Sequence, residues 1–166
     1  MKIATWNVNS LNVRLPQVLD WLAANPVDAL VLQETKLTDD KFPRAEIEAA
    51  GYAVHFHGQK TYNGVALLSR QSTVGEALGV VKNIPGFDDE QARVIAGTVG
   101  GVRAIVGGFD VRDFQPFADA IARTQEELGG VDHVINVAGG GSRQTLATMS
   151  VDDWHGIVNL NLTGPF

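Results

Sequence analysis

The run VRAIVGGFDVRD, Val102 to Asp113, ends one pattern and begins another, and this change limits what the chain can fold into more than any other feature. Ahead of it, QARVIAGTV and VRAIVG flank Gly100-Gly101, a two-residue loop suited to the positive φ of a hairpin turn. Behind it, FQPFADAIARTQEELGG reads as an amphipathic helix with a glycine stop, and VDHVINVAGGG as an apolar strand running into a glycine turn. Hairpins argue for antiparallel pairing, whereas strand, helix, strand, helix argues for a parallel α/β unit. A chain of 166 residues has room for one domain with a substantial core and not for two ordinary ones. The two patterns therefore share one sheet or remain two half-domains, each exposing an apolar face.

The elements before this point follow in clear order. IATWNVN (Ile3 to Asn9) alternates as a strand, and RLPQVLDWLAAN follows with Leu15, Val18, Leu19 and Leu22 on one helical face and Pro16 in the first turn. DALVLQE reads as a buried strand that delivers Glu34 at its C-terminal end. Pro43 opens a short helix that Gly51 can close, and YAVHFHGQKTYNGVALLS is two strands around a polar connection of about five or six residues. Near the other end, SVDDWHGIVNLNLTG is a helix with Ser150 as N-cap and Asp153 three residues on, an acidic version of the capping box.

Composition shifts at the same place. Met1 to Ile105 holds 10 Lys+Arg against 11 Asp+Glu, a net of −1, and Val106 to Phe166 holds 3 against 8, a net of −5. All five lysines lie at or before Lys82, and nine of the 18 glycines fall after Ile105. The acidic second part is a poor general surface for DNA. A mean hydropathy of +0.01 fits a globular protein in water, and no apolar run approaches the length of a membrane span. Zero cysteines exclude disulfides, thiolate zinc sites and a cysteine nucleophile. With no basic-then-apolar leader after Met1, a cytoplasmic location and no membrane partner are expected.

Asn7 and Glu34 fall at the ends of two neighbouring predicted strands, where side chains converge. A carboxylate beside an amide oxygen is a hard-oxygen pair of the kind Mg²⁺ accepts, although a strand-end glutamate also serves as an exposed charge or a cap. Such a pair does not separate Mg²⁺ from Mn²⁺. His55 and His57 alternate on one strand face, as in any half-exposed strand. Lys60, Tyr62 and Asn63, in the connection that follows, are of types that touch DNA phosphates, and polar loops also carry them without a ligand.

The segments MKIATWNVNSLNVRLPQVLDWL, VDALVLQETKLTDDKFP, GYAVHFHGQKTYNGVALLSR and IPGFDDEQARVIAGTVGGVRAI, in that order over about the first 105 residues, resemble the start of exonuclease III, the bacterial abasic-site endonuclease of the endonuclease/exonuclease/phosphatase superfamily. The resemblance implies that Glu34 is the main Mg²⁺ ligand and that Asn7 orients the metal or the attacked phosphate. It implies attack of an activated water on a DNA phosphodiester, with Mg²⁺ neutralising transition-state charge. That reaction also needs a base for the water and donors for the phosphate. The family supplies them from its second half: a tyrosine after the strand equivalent to VRAIV, an Asp-x-Asn after a later strand, and a terminal Ser-Asp-His. Here the tyrosine position falls on Gly107 or Gly108, and no Asp-x-Asn occurs. Asp132-His133 precedes an apolar strand instead of ending the fold, so His133 reads as a strand-edge histidine.

FDVRD, VDHVINVAGG and VNLNLTGPF resemble, in order and spacing, the middle of a short-chain dehydrogenase/reductase. By that resemblance Asp110 would lie near an adenine, Asn136, Val137, Ala138 and Gly139 would form the Asn-Asn-Ala-Gly turn with Val137 departing from it, and Asn161 would be the tetrad asparagine. No Gly-x-x-x-Gly-x-Gly turn opens this unit to receive a pyrophosphate. The catalytic Tyr-x-x-x-Lys would lie beyond Phe166.

The fold class expected is α/β: an incomplete exonuclease III-like α/β sandwich sheet over residues 1–105, continued over 106–166 by a Rossmann-like β-α-β-α segment of short-chain dehydrogenase type. The chain reads as chimera-like. Its function is expected to derive from a Mg²⁺-dependent DNA repair nuclease, an abasic-site endonuclease and 3′-exonuclease. Glu34 and Asn7 are both the incomplete catalytic site and the metal site. Activity is expected to be absent or severely impaired, because catalytic groups that act as a unit fail together. The alternative is an NAD(P)-binding fragment using Asp110, Asn136, Gly139 and Asn161, itself without its catalytic Tyr-Lys pair. Mg²⁺ is thus the cofactor implied, the missing glycine turn argues against NAD(P), and DNA is a weak partner.

Overall fold

The computed structural model describes residues 1–83, 90–108, 110–142, 144–145 and 147–165. Ile84 to Asp89 of the IPGFDD run, and Phe109 and Phe166 of the second resemblance, lie outside the described residues. The chain divides into two units, Met1–Gly108 and Phe109–Phe166.

The first unit contains β1 (Ile3–Asn7), α1 (Leu11–Ala24), β2 (Ala29–Gln33), α2 (Arg44–Ala49), β3 (Tyr52–His57), β4 (Val65–Arg70), β5 (Leu78–Lys82), β6 (Val94–Val99) and β7 (Val102–Gly107). One mixed sheet has the order β1-β2-β4-β3, with β1 and β2 parallel and the other pairs antiparallel. A second, antiparallel sheet has the order β5-β6-β7.

Side chains alternate along a strand, so a strand covered on both faces has to be apolar throughout. ALVL in β2 and VALL in β4 meet that demand. Leu30, Leu32, Ala66 and Leu68 pack with Leu11, Val18 and Leu22 of α1 and Ile47 of α2. On the opposite face, Ala29, Val31, Val65 and Leu67 pack with Ile95, Val99 and Val106 of the second sheet. Burying each leucine or isoleucine contributes roughly 1.5–3 kcal/mol, which makes these two strands the centre of the unit. The β6–β7 hairpin turns at Gly100 and Gly101, with φ of 54° and 84°, as the glycine pair implies.

The helix at Leu11 begins earlier than its pattern suggests, which places Pro16 inside it instead of in its first turn. Tertiary hydrogen bonds fix that start: Ser10 N donates to Glu34 O (2.8 Å) and Leu11 N to Thr35 O (3.0 Å). The proline removes the donor that would reach Asn12, an exposed residue whose carbonyl can turn to solvent. The connection between β3 and β4 runs over residues 58–64, longer than expected. The sequence pattern does not predict strand β5. It is a bulged edge whose Leu78 and Gly79 break any alternating signal.

The second unit consists of α3 (Phe114–Leu128), α4 (Val151–Val158) and a wide π-type turn over Asn159–Thr163. Gly129 closes α3 in the left-handed region. Ser150 and Asp153 form the capping box of α4 in both directions, Asp153 N to Ser150 Oγ (3.1 Å) and Ser150 N to Asp153 Oδ2 (3.3 Å). The strand expected at VDHVINVAGGG is not formed: residues 131–141 have no strand, and Val134 and Ile135 are 58% and 61% exposed. The Rossmann-like β-α-β-α expectation is therefore corrected to two helices joined by an irregular segment. A strand needs a neighbour to take its backbone hydrogen bonds, and the described residues of this unit provide none. No helix among the described residues is long and apolar enough to cross a membrane.

Candidate functional site

Parallel pairing of β1 with β2 ends at Asn7 opposite Gln33, which leaves Glu34 just past the strand end. The ladder continues beyond the strands, with Val8 N donating to Gln33 O at 3.0 Å. Ser10 and Leu11 then bond to Glu34 O and Thr35 O. Two chain segments are thus bound side by side at the C-terminal edge of the sheet. The backbone there is unusual, since Asn9, Ser10, Glu34 and Lys36 all have positive φ (43°, 90°, 53° and 55°). Non-glycine residues hold that region only where their surroundings over-determine it.

Four side chains close a network at this edge. Asn7 Nδ2 donates to Glu34 Oε1 at 2.9 Å, and Asn7 Oδ1 accepts from Asn9 N at 3.1 Å. The Lys36 ammonium lies 3.0 Å from Glu34 Oε2 and also donates to Asn9 Oδ1. Burial acts to raise the pKa of Glu34, but the Asn7 bond and the Lys36 charge outweigh it, and the carboxyl is held below its ordinary value of 4.5. An ionised, oriented and partly exposed carboxylate is what a divalent cation requires. Mg²⁺ takes one or two carboxylates and fills its octahedron with water and phosphate oxygens, and a carboxylate has about four lone-pair sites. Glu34 thus fits such an ion even with Asn7 and Lys36 engaged. Among the described residues, no group of three or more His, Asp or Glu converges to hold a metal.

Sequence reasoning places Asn7 and Glu34 together, and the structure does so. It misses Lys36 and Asn9, although Glu34-Thr35-Lys36 carries a signal: two residues of opposite charge, two apart, beyond a strand end. Asn63 spends its amide on Gln59 Oε1 (3.3 Å) and Gln91 Oε1 (2.8 Å), whereas Lys60 and Tyr62 stand exposed, Tyr62 at 69%. His55 lies 3.2 Å from Glu76 Oε1 and His57 Nδ1 lies 3.4 Å from Val94 O, consistent with a half-exposed strand. His133 is exposed on the irregular segment and edges no strand.

The residues of the dinucleotide reading are engaged with their own backbone or neighbours. Asp110 is gripped by Arg112, Nε to Oδ1 at 2.9 Å and Nη2 to Oδ2 at 2.6 Å. Those bonds lower its pKa to about 2. Asn136 Oδ1 accepts from Ala138 N at 2.9 Å. Asn161 ties the glycine run to the end of α4, with Gly140 N donating to its Oδ1 (3.0 Å) and its Nδ2 donating to Gly140 O (2.9 Å) and Ile157 O (2.8 Å). A side chain at Gly139 would press on Asn161.

Exodeoxyribonuclease III of Haemophilus influenzae is 34% identical over 113 residues, covering 66% of this chain and 41% of that protein. Among solved structures, the 3′-5′ exonuclease NExo of Neisseria meningitidis matches with a TM-score of 0.68 and 47% identity, over 78% of this chain and 53% of that one. An AP endonuclease of Archaeoglobus fulgidus matches with a TM-score of 0.66 and 33% identity, over 80% and 52%. The chain thus spans about half the length, or less, of these relatives. A short-chain reductase, NovJ of Streptomyces niveus, is 34% identical over 101 residues, 61% of this chain and 38% of that protein. Only 61 residues follow Ile105, so that likeness reaches back into the first unit. The model of the Endonuclease/Exonuclease/phosphatase family matches residues 4–156, and with its α/β fold, one mixed and one antiparallel sheet, resembling the exonuclease and the AP endonuclease, the chain belongs to that family.

Proposed function

We propose that this chain carries the cation-holding edge of a Mg²⁺-dependent DNA phosphodiesterase of the exonuclease III and abasic-site endonuclease type, and that by itself it cleaves DNA poorly or not at all. The observation that carries the reading is the closed network of Glu34, Asn7, Lys36 and Asn9 at the C-terminal edge of β1 and β2, in a chain of this family. Glu34 would ligate the ion, while Asn7 and Lys36 keep its carboxylate ionised and oriented. Bound Mg²⁺ would neutralise charge building on an attacked phosphate. The Neisseria enzyme has been solved bound to a product DNA hairpin, which supports DNA as the substrate class here. Exposed Lys60 and Tyr62 are the candidates to meet its backbone.

The expectation of weak activity comes from what the cluster lacks. It has one carboxylate, and neither Asn7, Asn9 nor the Lys36 ammonium can take a proton from a water while Glu34 is occupied. The tyrosine position falls on Gly107 or Gly108, and the second unit brings neither Asp-x-Asn nor Ser-Asp-His. The test is nicking of a duplex containing an abasic site, with and without Mg²⁺, by the wild type and by Glu34→Gln. Turnover near that of a full-length relative would overturn the inactive reading. Equal nicking by both forms would place the chemistry elsewhere.

We also propose that the chain is chimera-like, with residues 106–166 akin to a short-chain dehydrogenase; the charge shift and the NovJ likeness support the kinship. Asp110, Asn136, Gly139 and Asn161 would be a vestigial dinucleotide site, and their internal bonds argue against NAD(P) binding. Zero cysteines support a cytoplasmic setting.

A further inference from the structure

We infer that Gly64 is a positioning residue for Glu34, acting through the buried Thr35; this rests on the reading of Glu34 as the cation ligand. Thr35 lies between Glu34 and Lys36, is 0% exposed, and its Oγ1 has no hydrogen-bond partner among the described residues. It packs on the bare Cα of Gly64, where a methyl group would overlap Thr35 Oγ1 and stand 3.3 Å from Lys36 N. Backbone bonds hold the same contact: Thr35 N to Gly64 O and Lys36 N to Asn63 O, both 3.0 Å. Gly64 is anchored from behind by its own N–H to Ala92 O at 2.9 Å. Gln59 Oε1 in turn accepts from Ala92 N at 3.0 Å.

This seat explains how Glu34 and Lys36 keep left-handed backbone on either side of Thr35. A side chain at position 64 would push Thr35 outward. Glu34 and Lys36 are its immediate neighbours in the chain, so the Asn7–Glu34 bond and the Lys36–Glu34 pair would move with it. Gly64 itself carries no side chain with which to ligate an ion.

The experiment uses the full ¹⁵N-labelled chain, read through the side-chain amide signals of Asn7 and their broadening by Mn²⁺ alone. Gly64→Ala is expected to shift those signals and to raise the Mn²⁺ midpoint roughly tenfold or more, as loss of support around a ligand does. Thr35→Ala removes the atom a methyl would strike and breaks no hydrogen bond, so its Asn7 signals should stay near wild type while the vacated space lowers its melting temperature. In the double variant the Asn7 signals and the Mn²⁺ midpoint should return toward wild type, while the melting temperature stays lowered by the positive φ of residue 64. A merely structural role would move midpoint and melting temperature together. Wild-type signals and midpoint in Gly64→Ala, or a double variant no better than the single, overturn the inference. Should Gly64→Ala fail to fold, a folded double variant with wild-type Asn7 signals supports it and an unfolded one overturns it. If Mn²⁺ leaves Asn7 of the wild type unbroadened, or binds Glu34→Gln equally, the cation reading falls, and the metal-free Asn7 signals alone decide the positioning.

Discussion

Asn7 Nδ2 reaches Glu34 Oε1 at 2.9 Å across the ends of two parallel strands, and its sense is fixed because Asn7 Oδ1 already accepts from Asn9 N. The amide therefore presents its donor to the carboxylate and its oxygen to the Asn9 backbone.

That bond has a pH signature. Glu34 is pushed upward by burial and held below 4.5 by Asn7 and Lys36. A carboxyl lowered on folding contributes stability that is present above its unfolded pKa and is lost as pH falls through its folded pKa. The urea midpoint of the wild type, followed by tryptophan fluorescence, should exceed that of Glu34→Gln by a margin that shrinks as pH falls below the ordinary 4.5. Asn7→Ala should shrink the same margin at higher pH. A margin that ignores pH would mean that the Asn7–Glu34 bond does not form in solution.

The two sheets of the first unit approach closely at Gly97, where an added Cβ would stand 2.8 Å from Leu67 Cδ2 and 3.3 Å from Val80 Cγ2. Gly97→Ala should cost about 1–3 kcal/mol by overpacking. Leu67→Ala, at a fully buried position, should cost about 2–5 kcal/mol by leaving a cavity. The double variant should lose less than the sum, because the new methyl enters the space the leucine leaves. Strict additivity in urea unfolding would show that the sheets do not meet there.

Much of the first unit was legible because its core strands are apolar on both faces and its β6–β7 turn uses glycine where positive φ is needed. Glu34 and Asn7 could be paired because parallel strands bring C-terminal ends together. Lys36 and Asn9 were missed because their roles depend on left-handed backbone, which sequence periodicity does not report. The bulged edge strand β5 was missed because Gly79 interrupts its pattern. The strand expected at 131–141 failed for the opposite reason: VDHVINV has the apolar content of a strand, but strand formation needs a partner that the local sequence does not specify.

In the second unit, Arg112 determines what Asp110 can do. Its guanidinium bonds are the main reason the carboxyl lies at about 2. Arg112→Ala should return the Asp110 pKa toward its ordinary 3.8, measured by NMR titration of the side-chain carboxyl. With Asp110, Asn136 and Asn161 all bonded internally, titration with NADH should give no saturable fluorescence change. A saturable one would restore the dinucleotide reading.

The units should also differ in how firmly they hold their hydrogen bonds. Both buried clusters belong to the first unit, whereas in the second unit Ala120, at 9%, is the only buried hydrophobic among the described residues. Phe114, Val151 and Trp154 are exposed at 75%, 69% and 51%. Protection against hydrogen exchange follows local burial and packing, so amides of β2 and β4 should exchange only on global unfolding. The capping box of α4 favours its helical start, but a cap contributes too little to protect a helix without a packed face. Amides of α3 and α4 should therefore exchange by local opening, well before those of β2 and β4 in a native-state experiment. Equal protection in both units would mean that the helices are covered in solution by a surface that buries Trp154, and quenching of Trp154 fluorescence by acrylamide would then be weak.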